Sequence, residues 1–163
     1  THEVIIHHLI HMVHTLAMPA AISFTGYRHR KRLVRDAINW FLPKYVGKHI
    51  LNIEIYDKQM NREGTNGACS FLGSFKKPRR FFIEMNNSLD DNEYLQSLFH
   101  ELIHMKQWIF RQRITTKNHN DYWYGKLIDE NMDYMELPWE KEAFTQENSI
   151  FLWYLESQGR KLH

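Results

Sequence analysis

Asp90-Asp91-Asn92-Glu93, followed seven residues on by His100-Glu101-Leu102-Ile103-His104, is the stretch whose reading decides how this chain folds. Asp90 and Glu93 have the D-x-x-E spacing of a capping box, which satisfies the free amides of a helix start. Behind the cap, Leu95, Leu98, Phe99, Leu102, Ile103 and Ile109 recur at intervals of three and four. That period predicts a helix from Asp90 to about Arg113, with Arg111 and Arg113 suited to its negative C-terminal end. Two histidines four apart lie one above the other on a single helical face, so both imidazoles can reach one zinc ion. Glu101, one step round the helix from His100, then projects where it can take a proton from water beside the metal. The competing reading is two half-buried histidines on a helix flank.

Upstream, three segments read as strands. Ile50 to Tyr56 alternates between apolar and polar, Ala68 to Phe75 follows a Gly-rich turn, and Arg80 to Asn86 follows Lys76-Lys77-Pro78. Connections this short favour antiparallel pairing, so the fold class expected is α+β with a small antiparallel or mixed sheet. Before the strands, Leu33, Val34, Ala37, Ile38 and Phe41 mark an amphipathic helix that Pro43 should stop. Its start carries Arg28, His29, Arg30, Lys31 and Arg32, read as a solvated face with nucleic-acid contact as the competitor. Lys76, Lys77, Arg79 and Arg80, beside Phe81 and Phe82, invite the same pair of readings, a basic turn or a single-strand surface. Residues 1–26 form a His-rich leader or tail in which His7, His11 and His14 recur at helical spacing; residues 27–163 form a single domain.

Downstream, Thr115 to Glu136 is polar and aromatic, and a loop of that length is functional or hides a hairpin. Pro138 starts a last helix whose inward positions are Trp139, Ala143, Phe144, Ile150, Phe151 and Tyr154. A catalytic zinc needs a third protein ligand and an open position. His119, Glu136, Glu140 and Glu142 are the candidates; the last helix would hold Glu140 or Glu142 more rigidly than a loop holds His119. A donor for developing negative charge would come from Tyr122, Tyr124, Tyr134 or His119.

Composition narrows the function further. One cysteine, Cys69, excludes an internal disulfide framework and a multi-cysteine zinc ribbon, and suggests a reducing compartment such as the cytoplasm, with a disulfide-free secreted protein as the alternative. Cys69 itself reads as a small buried hydrophobe rather than a nucleophile. No apolar run is long enough to span a membrane, and no Gly-rich phosphate loop or G-x-S-x-G elbow occurs. A net charge of +2 demands no polyanionic partner.

His-Glu-Leu-Ile-His-Met-Lys-Gln, then Tyr-Trp-Tyr-Gly, then Leu-Pro-Trp-Glu-Lys-Glu-Ala resembles small zinc metallopeptidase-like proteins, commonly of phage origin. More broadly the pattern is similar to minimal gluzincins, and it covers about Leu51 to Glu156. The resemblance implies a zincin domain that hydrolyses peptide bonds with Zn2+ on His100, His104 and Glu140, and with Glu101 as general base. Glu140 is implied because it stands three before Ala143, as in a Glu-x-x-Ala ligand pattern, which leaves Glu142 a supporting role. The partners implied are protein or peptide substrates, in a host cytoplasm or virion. A second resemblance, to Spartan-like DNA-associated proteases, implies His119 as third ligand, although the glycines flanking that histidine are missing. A zinc-binding adaptor without turnover is the remaining alternative, and Glu101 argues against it.

Overall fold

The computed structural model describes residues 20–159, and its architecture is α+β. In chain order the elements are β1 (Ala20–Thr25), α1 (Arg28–Tyr45), β2 (Leu51–Lys58), β3 (Gly67–Leu72) and β4 (Arg80–Asn86). Then come α2 (Asp91–Ile109), β5 (Arg113–Thr115), β6 (Asp121–Trp123), β7 (Lys126–Leu127), a 3-10 turn at Tyr134–Glu136 and α3 (Pro138–Ser157).

Four strands form a mixed sheet in the order β1-β2-β4-β3. β1, β2 and β4 are parallel, and only β3 runs antiparallel, against β4. The short connections therefore mislead about β2: it pairs with β4, not with β3. After β2 the chain skips one strand position, about 9.5 Å at ordinary strand spacing, a gap that the segment 59–66 spans easily. Asn86, at the end of β4, pins that segment. Its amide donates to Asn61 Oδ1 at 2.8 Å, its backbone N–H donates to the Asn66 carbonyl, and Ser88 Oγ also reaches Asn61.

β1 is a second departure. Ala20–Thr25, read from sequence as part of the His-rich segment, pairs along its whole length with β2 from Leu51 to Tyr56. Ala20, Ile22 and Phe24 pack on the core. His7, His11 and His14 lie outside the described residues.

One sheet face is covered by α1 and α2. Ile53, Ile55, Phe81, Ile83 and Met85 meet Val34, Ile38, Phe41, Leu95, Leu98 and Phe99, all without exposed surface. The opposite face carries cross-strand pairs suited to water, Lys58 with Glu84 at 2.7 Å and Tyr56 with Phe82 at 4.8 Å. Pro43 does not stop α1, which continues to Tyr45; in the last turn the ring forfeits a single backbone bond. Gly47, at φ 80°, then closes the helix by donating to the Leu42 carbonyl at 2.8 Å.

Arg30 corrects the reading of the first basic cluster as a solvated face. Only 4% exposed, it lies 4.2 Å from the Tyr94 ring centroid, 2.9 Å from Asp91 and within reach of the Leu89 carbonyl. Arg28, Lys31 and Arg32 are exposed as expected.

Asp90 caps α2 by accepting the Glu93 amide at 2.9 Å. The helix ends at Ile109 rather than Arg113, because Arg111 turns the chain at φ 59°. Arg113 leads into β5, stacked between Trp108 and Trp139 and paired with Asp121. The polar stretch after it holds the small antiparallel sheet β5-β6-β7. No helix among the described residues is long and apolar enough to cross a membrane.

Candidate metal centre

The middle of α2 and the first turns of α3 face each other, and their side chains converge on one point. His100, His104 and Glu140 are all buried, and one ligand atom from each lies within 4.8 Å of the others. His100 Nε2 stands 2.9 Å from Glu140 Oε2, and His104 Nε2 stands 2.8 Å from Glu140 Oε1. The two Nε2 atoms are 3.1 Å apart.

The far side of each ring decides what the near side can do. His104 Nδ1 lies 2.9 Å from Gln107 Oε1. The Gln107 amide cannot be reversed, because its Nε2 faces two acceptors, the Trp139 carbonyl at 3.0 Å and Glu142 Oε1 at 3.2 Å. Gln107 therefore accepts, His104 Nδ1 carries the proton, and the Nε2 lone pair points at the shared centre. His100 Nδ1 lies 3.4 Å from the Glu147 carboxylate, which imposes the same orientation on that ring. Two imidazole lone pairs facing each other across a carboxylate need a positive charge between them. A His/His/carboxylate set with both rings oriented from behind fits a divalent metal.

Electrostatics agree. Burial pulls His100 down, but its hydrogen bonds to Glu140 and Glu147 outweigh that and raise it to about 9. Burial would raise Glu140, yet hydrogen bonds from the His100 and His104 rings in their protonated form hold it well below the usual carboxylate range. Glu101 is different: burial pushes its carboxyl up to about 7, against the pull of His104 and His100.

A cleft of about 810 Å³ opens over these groups, lined by Glu101, Tyr134, Phe144, Arg113 and the start of β3. Gly67 brings β3 close: a Cβ there would lie 3.1 Å from Glu101 Cγ. β4 is paired on both sides, whereas β3 pairs with β4 and, among the described residues, with no other strand. Cys69 also lines the cleft, its thiol held well above its ordinary value by burial and by Glu101.

Of the other residues singled out from sequence, His119 sits exposed in the turn between β5 and β6, at φ 61°, outside the cluster. Glu136 pairs with Lys141 at the surface, and Glu142 reaches Gln107. Among Tyr122, Tyr124, Tyr134 and His119, only Tyr134 lines the cleft, and its phenol hydrogen-bonds Glu140. Phe144, read as inward-facing, is 42% exposed and lies 4.6 Å from the His100 ring at the cleft wall.

Gln107 and Glu147 were missed by the sequence reading. The helical period carried a signal for both: Gln107 is three residues past His104, and Glu147 is seven past Glu140, each on its ligand's own face. Comparisons of the chain with family models, curated proteins and solved structures return no match.

Proposed function

We propose that the chain is a zinc-dependent metallopeptidase, with His100, His104 and Glu140 as the protein ligands and Glu101 as general base. The observation that carries this reading is the convergence of three buried donors beside a fourth, uncommitted carboxyl in an open cleft. A structural zinc site is closed by four protein ligands; three ligands and a cleft are the arrangement of a catalytic one. Zinc held there supplies Lewis acidity, enough to bring the ionisation of water to near neutral pH.

The chain's own residues do the rest. An extended peptide lies along the open edge of β3, which supplies main-chain hydrogen bonds beside the triad. Glu101 takes a proton at its carboxylate as water attacks and returns it to the leaving amine. Tyr134, at the cleft mouth, donates to the developing negative charge by swinging its phenol proton away from Glu140. Phe144 and Tyr134, with ring centroids 6.5 Å apart, wall off part of the cleft from water.

The test is a pair of measurements on purified protein. Elemental analysis should find about one zinc per chain, after removal of residues 1–18, whose histidines bind metal adventitiously, with β1 kept in place. Glu101→Gln should keep that zinc and the fold while losing nearly all cleavage of unfolded casein, because an amide is no base. A metal-free protein that neither binds added zinc nor gains thermal stability from it refutes the reading, as does equal cleavage by both forms.

A further inference from the structure

Charge in this chain is strongly segregated, although the total is nearly balanced. From 37 to 53, from 64 to 83 and from 102 to 120 the sequence carries ten Lys and Arg and not one Asp or Glu. All 19 acidic residues lie in the remaining segments.

The fold brings the acid-free segments together. β2 and β4 are parallel, so both begin at the same end of the sheet, and α1 and α2 both finish there. The contacts confirm it. The His49 ring lies 5.7 Å from the Phe110 ring, Arg111 Nη1 donates to the Phe75 carbonyl at 2.8 Å, and the Asn52 backbone N–H donates to the Arg79 carbonyl at 2.9 Å. Lys44, Lys48, Lys76, Lys77, Arg79 and Arg111 thus share one end, and none forms an ion pair among the described residues. Helix-dipole compensation accounts for Lys44, in the last turn of α1. It does not account for Lys48, Lys76, Lys77 and Arg79, which stand on loops where like charges repel and raise the energy of the folded state.

We propose that this end of the domain binds the phosphate backbone of a nucleic acid. A polyanion supplies the counter-charge that the fold withholds, at several points at once. Phe110, 45% exposed beside His49, offers a flat apolar surface within the cationic face, which favours a strand with unpaired bases over a lipid surface. The other basic cluster is at the opposite end of the sheet. There Arg28, Lys31 and Arg32 follow β1, Arg30 is buried, and Arg32 lies 3.8 Å from Asp36.

The inference is independent of the metal site, and its test reads binding rather than cleavage. Fluorescence anisotropy with labelled ~20-nucleotide single-stranded and duplex DNA should show binding to the single strand at ~50 mM salt. For about four phosphate contacts, affinity should fall on the order of 100-fold by ~200 mM. Joint Lys48→Gln, Lys76→Gln and Lys77→Gln, all exposed positions, should leave the melting temperature unchanged. That variant should weaken binding at least ~10-fold and flatten the salt slope by about one for each contact removed. Arg28→Gln, Lys31→Gln and Arg32→Gln together remove the same charge from the other end and should bind as the parent does. No binding at low salt overturns the proposal, as does loss caused by the second triple variant and not the first. Capture by phosphatidylserine vesicles without any by DNA overturns it too, and a duplex preference would remove the role given to Phe110.

Discussion

Gln107, with no exposed surface, accepts the Nδ1 proton of His104 at 2.9 Å while its amide nitrogen donates across to the α3 backbone. One side chain therefore fixes the tautomer of His104 on α2 and ties α2 to the helix that carries Glu140. The candidate metal site and the packing of the two helices are the same structure at this point.

Gln107→Leu should then weaken both. Losing the partner of an imidazole that would ligate the metal costs ~10–100-fold in metal affinity, and losing the bond from Gln107 to the Trp139 carbonyl costs about 0.5–1.5 kcal/mol of stability. Gln107→Glu separates the two effects, since a carboxylate still accepts from His104 but cannot donate to Trp139. Zinc competition with a chelator and thermal melts of both variants would check this. Parent-like zinc affinity in the leucine variant would remove Gln107 from the site.

Gly67→Ala probes the closeness of β3 to Glu101. The added methyl would meet Glu101 Cγ and Met85 Sδ at 3.1 Å and the Glu84 carbonyl at 3.2 Å. Gly67 has no positive φ, so the constraint there is space rather than backbone conformation. Crowding of this kind costs about 1–3 kcal/mol. If the chain is the zinc peptidase proposed above, cleavage should fall while zinc content stays at the parent level, because none of the three metal-holding side chains is displaced. Parent-like turnover and melting temperature would mean that β3 yields freely and does not position Glu101.

Away from the site, Asp57 should make stability depend on pH. Its Oδ2 is buried without a hydrogen-bond partner, while Oδ1 accepts from the Tyr94 phenol. Burial raises the Asp57 carboxyl above its ordinary value, against the hydrogen bond from Tyr94 and the charge of Arg30. A carboxyl raised on folding favours the protonated folded state. Its contribution is full below the unfolded pKa and is lost as pH rises through the folded one. Asp57→Asn, which carries no charge at any pH, should match or exceed the parent's melting temperature at neutral pH and lose that advantage in acid. A variant destabilised most at neutral pH would show that the charged form is the one the fold prefers.

How much of this was legible in the sequence follows from how local each feature is. The cap at Asp90, the apolar stripe of α2 and the alignment of His100 with His104 depend on neighbours within a few residues, and all three stand in the structure. The alternation of β2 was legible because only one face of the sheet is covered. The order of the strands was not, since it is set by the path of 59–66 and by Asn86, both invisible to periodicity. β1 was missed because Ala20–Thr25 gains its meaning from β2, some thirty positions away. Arg30 looked like its basic neighbours until Tyr94 and Asp91 arrived beside it through the fold.

The ligand set itself has the sharpest test. If Glu140 is the third ligand, Glu140→Ala removes one of three protein bonds to the metal and should cost several kcal/mol of binding. It also leaves His100 and His104 facing each other without the carboxylate that both contact. Glu142→Ala removes an acceptor from Gln107, whose amide keeps the Trp139 carbonyl, so the loss should be at most ~10–100-fold. His119→Ala alters an exposed turn, so zinc affinity should match the parent's. Zinc titrations of the three variants, each with a melting curve in excess metal, separate lost ligation from lost folding. A site emptied by His119→Ala and still filled in Glu140→Ala would overturn the assignment, and with it the alignment of α2 and α3 on which the whole centre rests.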